Sequence, residues 1–145
     1  MKRMPGFIEV RNLLHEEIQS YSLTATLSRE RAIDPPELRK FAADLMVSVS
    51  AACFRYGAKD VGHIKAHIEH ESGFLSADTL GDPADVMVEG RDGDPVRSFR
   101  IIVNSVIFGL AGERIGRATE ESLEAVSLKF GLEKEQNDTG DRSGK

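Results

Sequence analysis

The spacing of apolar side chains changes period several times along this chain, and each change marks a predicted element. Phe7, Val10, Leu14 and Ile18 recur at helical spacing, with Glu9, Glu16, Glu17 and Gln19 on the other side. That pattern predicts an amphipathic helix over residues 6–20. Residues 21–32 fit a short strand, a helix continuation or a loop. Asp34-Pro35-Pro36-Glu37 is a helix start. The aspartate can accept from first-turn amides, proline wastes no donor there, and glutamate three residues on completes a capping-box pattern. Leu38, Ala42, Leu45, Val49, Ala52 and Tyr56 then form a stripe, widened by Phe41 and Cys53, that predicts a helix over 35–56. Gly57 is a natural terminator. The nearly uncharged middle, Met46 to Ala52, implies burial on more than one side.

Beyond Gly57 the period drops to two. Ile64, Ala66 and Ile68 alternate with His63, Lys65, His67 and Glu69, which predicts a strand with one apolar face. Phe74 to Thr79 reads as a second strand. Val86 to Glu89 and Ser98 to Phe108 read as two more, joined by the turn formers of 90–95 in a predicted hairpin. The last of these is apolar on both faces, so it is expected to be central or covered on its second face. Gly109, Gly112 and Gly116 then interrupt the pattern. A final helix is predicted over 119–131, with Thr119 as cap, Leu123, Val126 and Phe130 as stripe, and Gly131 as stop. The expected fold is α+β: an antiparallel sheet of about four strands with two N-terminal helices and one C-terminal helix packed on it. Residues 1–132 are expected to form one domain, and 133–145, which carry no apolar side chain, a disordered polar tail.

Charge narrows the function classes. The net charge is −5, and the acidic excess falls in the sheet-forming half: residues 60–132 carry 7 basic and 13 acidic side chains. A phosphate-binding surface needs clustered Lys and Arg, so a nucleic-acid module is disfavoured. No stretch is apolar enough for a membrane span, and Met1-Lys2-Arg3 leads to no apolar run, so no signal peptide is read. The single cysteine, Cys53, lies in an apolar stripe and points to no disulfide. A cytoplasmic location is expected.

Three of the four histidines lie within Val61 to Glu71, the densest set of groups able to ligate a metal or move protons. On a strand, His63, Lys65, His67 and Glu69 share one face and His70 takes the other. His67 and Glu69 are then close enough to share an ion, while His63 is twice as far away. On a helix, His63, His67 and His70 would converge on one face, a spacing that suits a transition metal. Imidazole also titrates near neutrality, so such a cluster can make assembly pH-dependent. Against these readings stands a solvated strand face carrying cross-strand pairs.

Other sites are weaker. Gly109-Leu110-Ala111-Gly112 has the glycine spacing of a backbone-clamping loop, with Glu113 where a basic residue would be needed. Asp78, Asp82, Asp85, Glu89, Asp92 and Asp94 cluster near predicted turns, without the spacing of a calcium loop. Arg97, Arg100, Arg114 and Arg117 could form an anion site. No nucleophile elbow, phosphate loop, dinucleotide fingerprint or Cys-x-x-Cys pair occurs. The reading is therefore a small non-enzymatic binding or regulatory module that self-associates through an apolar sheet or helix surface. The alternative is a metal-binding protein or small enzyme using His63, His67 and Glu69, with His70 as a further ligand and a divalent metal as cofactor. Catalytic residues and small-molecule ligands are not readable.

Overall fold

A computed structural model describes residues 18–135. Eight main elements follow in order: β1 (Ile18–Ile33), α1 (Pro35–Arg55), β2 (Asp60–His70), β3 (Gly73–Thr79), β4 (Met87–Arg91), β5 (Val96–Phe108), α2 (Gly112–Lys129) and β6 (Glu133–Lys134), with a single 3-10 turn at Pro83–Asp85. The six strands form one antiparallel sheet in the order β4-β3-β2-β5-β1-β6. The expected four strands and three helices are thereby corrected to six strands and two helices among the described residues.

The reason lies in β1. The helix expected over 6–20 falls mostly outside the described residues, and its last part, 18–20, is strand. Tyr21, Leu23, Ala25 and Leu27 alternate toward the core. Ser20, Ser22, Thr24 and Thr26 between them face the other way, so this strand looks polar when read by composition. It is 16 residues long and pairs with β5 from Ile18↔Phe108 to Ser28↔Ser98, and after a register shift again at Ile33↔Val96.

The expected hairpin of 86–89 with 98–107 does not form. β4 pairs with β3, and both edges of β5 are taken, by β1 and β2. The centrality of β5 follows from its apolar content, and that leaves no edge for β4. The 90–95 turn instead leads from the sheet's edge back to its middle.

Helix α1 begins as read: the Asp34 side chain accepts from Glu37 N at 2.9 Å. It ends at Arg55, with Gly57 at φ +111°. Leu38, Phe41, Leu45, Met46, Val49 and Cys53 are all buried against β2, β3 and α2. Phe41 meets Phe99 and Phe130 edge-on, at centroid distances of 5.6 and 5.5 Å.

Helix α2 starts seven residues earlier than the sequence suggests. Gly112 and Gly116 are helical rather than interruptions. Gly116 is small because the Tyr21 ring lies on it: a Cβ there would sit 2.8 Å from Tyr21 Cε1. Thr119 is not a cap. It is buried in mid-helix, where its hydroxyl donates to Ile115 O at 2.8 Å and lies 3.3 Å from Ser105 Oγ. Such back-bonding satisfies a hydroxyl that the core would otherwise strand. After Gly131 the chain returns to the sheet, and Glu133 and Lys134 pair with Ser28 and Leu27. Part of the expected polar tail is thus a short edge strand, and 136–145 lie outside the described residues.

Both helices cover one face of the sheet. The buried strand positions, Leu27, Ile64, Ala66, Ile68, Leu75, Phe99, Ile101, Val103 and Ile107, all point toward them. Among the described residues nothing covers the opposite face.

Candidate functional site

The uncovered face is the first candidate. Its central strand presents Arg100, Ile102, Asn104, Val106 and Phe108. β2 adds His63, Lys65, His67 and Glu69, and β3 adds Phe74, Ser76 and Asp78. Register places these in rows. His67 lies between Ile102 and Ser76, and Glu69 between Arg100 and Phe74. Ile102, Val106 and Phe108 are half-buried by their neighbours, while Phe74 is 43 % exposed and Met87, on β4, 57 %.

A bulge sets which residues reach this face. Val61 pairs with Ile107 and His63 with Val106, so Gly62 is the extra residue. Without it, Val61 and Ile64 could not both point into the core. Glycine suits the position, since a Cβ would come within 3.0 Å of Val106 O.

The histidine segment is therefore a strand over its whole length. His67 and Glu69 come together, Nε2 to Oε2 at 3.4 Å, and Glu69 Oε1 lies 3.7 Å from Arg100 Nη1. His67 Nδ1 is also 3.5 Å from Ser76 Oγ, and its ring stacks loosely on Phe74 at 6.3 Å. His63 is on the same face but about 13 Å further along the strand, at ~3.3 Å per residue. His70 points to the helix side. Its Nδ1 accepts weakly from Ser72 N at 3.4 Å, and its buried Nε2 has no hydrogen-bond partner. Among the described residues no three His, Cys, Asp or Glu side chains are grouped to hold a metal ion.

The remaining sequence candidates are dispersed. Asp82 caps the 3-10 turn by accepting from Ala84 N, and Asp92 pairs with Arg39 at 2.6 Å. Arg114 donates to Tyr56 O at 3.2 Å. Arg100 serves Glu69, so Arg100 and Arg114 already have separate partners. Gly109 turns the chain at φ +74° into α2.

A second candidate lies on the helix side, at the outer edge of β1. Here α2 and β1 flank a cleft of about 870 Å³, lined by Leu23, Leu123, Ser127 and Leu128 among others. Glu120, one of its lining residues, accepts the hydroxyl of Tyr21 from β1. Burial, the hydrogen bond to Glu120 and the charge of that carboxylate push the Tyr21 phenol up to about 12. Tyr56 is raised chiefly by its 2.7 Å hydrogen bond to Glu121. Cys53 is raised to about 11 by burial alone. The β1 cleft is missed by sequence reading because 21–32 is ambiguous there. The period-two set Tyr21, Leu23, Ala25 and Leu27 is the signal that could have found it.

No family model and no curated protein matches the chain. Among solved structures it is similar to the Zn(II)-bound YjiA GTPase from E. coli, at TM-score 0.38 and 13 % identity over 83 % of this chain and 33 % of that one. A Zn(II)-bound triple mutant of YjiA GTPase gives TM-score 0.38 and 13 % identity over 81 % and 33 %. The chain thus spans about a third of the length of these structures, and a likeness this distant carries no argument. No helix among the described residues is long and apolar enough to cross a membrane.

Proposed function

We propose that this chain is a non-enzymatic binding module that self-associates through the open face of its sheet. The observation that carries the reading is a central strand, β5, whose second face holds Ile102, Val106 and Phe108 with no described layer over it. Aliphatic and aromatic side chains in a row on a sheet are the usual material of a sheet-on-sheet contact, which packs about 10 Å apart. The polar members do not forbid this. A two-fold axis puts each residue opposite its counterpart's neighbours, so Lys65 and Arg100 of one copy can meet Asp78 and Glu69 of the other.

Light scattering on the full chain at ~100 μM, a concentration at which even a modest interface holds, tests the reading. The expected mass is twice 15.9 kDa. A stable monomer mass would overturn it.

A metal-binding or catalytic use of His63, His67 and Glu69 has narrower support, the single contact of His67 with Glu69. Two donors make half of a tetrahedral site. Equimolar zinc that shifts the ring signals of His63 and His67 together would favour it, and unchanged signals would contradict it.

A further inference from the structure

Among the described residues, the outer edge of β1 is a strand edge without a partner over most of its length. β6 pairs only with Leu27 and Ser28, and one further bond runs from Glu135 N to Thr26 O at 2.8 Å. Among the described residues no other strand lies on that side. Backbone direction alternates along a strand. Since Thr26 presents its carbonyl outward, Thr24, Ser22 and Ser20 present theirs outward too, with their amides. The other edge of β1 is tied to β5 from Ile18 to Ser28, so this edge is held in register over that stretch. An extended edge of this kind is a template for another strand.

What lies beside the edge gives it selectivity. The 870 Å³ cleft runs between β1 and the outer flank of α2. Leu23, Leu123 and Leu128 give it an apolar floor and wall, and Leu128 is 79 % exposed, the most exposed large apolar side chain among the described residues. Ser127 lines the same cleft. It is 6 % exposed and its Oγ has no hydrogen-bond partner. A buried hydroxyl without a partner costs free energy unless something else bonds it. The ionised side chains of the lining are Glu120, Glu121, Glu124 and Glu133 against Arg117 and Lys134, an excess of carboxylates.

We infer that this edge and cleft bind an extended peptide of another protein, one that adds as a strand to β1 and carries both apolar and basic side chains on the face turned to α2. Backbone bonds to Ser20, Ser22 and Thr24 hold the strand. Its side chains on the helix side, every second one, meet Leu23, Leu123 and Leu128 where they are apolar and Glu120 and Glu124 where they are basic. This is strand addition: main-chain bonds give affinity and side-chain pockets at every second position give specificity. The surface is distinct from the open face of the sheet, so it does not depend on self-association.

The test uses the full chain and blocked octapeptides with threonine at every second position and, at the others, valine by turns with lysine or with glutamate. The lysine peptide is expected to bind saturably below ~1 mM, and the glutamate peptide at least tenfold more weakly. Amide shifts should be confined to β1 residues 18–26 and to α2. N-methylation of the lysine peptide at every second amide should abolish binding in one phase and spare it in the other. Leu128→Asp alters an exposed side chain, so the fold should survive while binding falls at least tenfold. Equal binding of the two peptides, equal tolerance of both N-methyl phases, or an unaffected Leu128→Asp would each overturn the proposal. So would slow exchange of the Ser20, Ser22 and Thr24 amides in the peptide-free chain, since the edge would then already be occupied.

Discussion

Arg29 and Glu37 form a two-point ion pair, Nη1 to Oε2 at 2.9 Å and Nη2 to Oε1 at 2.7 Å, at the junction of β1, α1 and α2. The Arg29 side chain is 7 % exposed. It also donates to the carbonyls of Arg31, Ala32 and Phe130, the last at 2.7 Å. One side chain thus closes the end of β1, the first turn of α1 and the C-terminus of α2. Glu37 is therefore not the reciprocal half of a capping box: its carboxylate turns to Arg29 instead.

Arg29→Met should destabilise the fold by about 2–4 kcal/mol, because it leaves a carboxylate and buried carbonyls without their donor. Glu37→Gln should cost less, since Glu37 is partly exposed and the carbonyl bonds survive. Urea unfolding of the two variants checks the order. Equal costs would show that the ion pair, not the carbonyl hub, matters.

The same pair sets an acid dependence. Hydrogen bonding from Arg29 holds the Glu37 carboxyl below its ordinary 4.5, with burial opposing and the charges of Arg29 and Arg31 helping. A carboxyl lowered in the folded state stabilises above its unfolded value, and that stabilisation disappears as pH falls through the folded value. Stability of the native chain should therefore drop as pH falls from about 5 to 3, and Glu37→Gln should flatten that drop. An identical slope in the two proteins would contradict the assignment.

Tyr21 titrates in the opposite sense. Its phenol is raised to about 12, so the contribution is complete below pH 10 and is lost as pH rises from there through 12. Absorbance at 295 nm should show neither tyrosine, Tyr21 nor Tyr56, ionising at its ordinary value. Gly116→Ala should displace the Tyr21 ring, weaken its bond to Glu120 and lower the Tyr21 midpoint. It should also destabilise by about 1–3 kcal/mol, overpacking outweighing the helix propensity gained. An unmoved midpoint would show that the ring accommodates the methyl group.

Cys53 is buried and its thiol is raised to about 11. Ellman's reagent at pH 8 should react only after denaturant is added, because the thiolate is the nucleophile and is both scarce and enclosed. Prompt reaction of the native chain would place Cys53 at the surface instead.

The sequence was most legible where local chemistry and tertiary packing agree. Asp34 and Gly57 bound α1 as their capping chemistry requires, and Ile64, Ala66 and Ile68 face the core as their alternation demands. It was least legible where a residue's reason lies in a distant partner. Gly116 reads as a breaker until Tyr21 is seen against it. Thr119 reads as a cap until Ser105 and Ile115 are seen to take its hydroxyl. Proximity along the chain suggests that β4 pairs with β5, but β5 has its edges filled by β1 and β2. The histidines were half legible: alternation separates His70 from His67 and Glu69, and only register shows that Arg100 and Ser76 join them.

The most direct test of the open-face account is sedimentation of the wild-type chain and of Ile102→Glu across about 1–200 μM, a range that spans modest dimer affinities. Ile102 is central on that face and partly exposed, so a charge there should raise the dimer dissociation constant at least tenfold while circular dichroism stays unchanged. A dimer that forms equally well with glutamate at 102 would show that the chain associates through another surface.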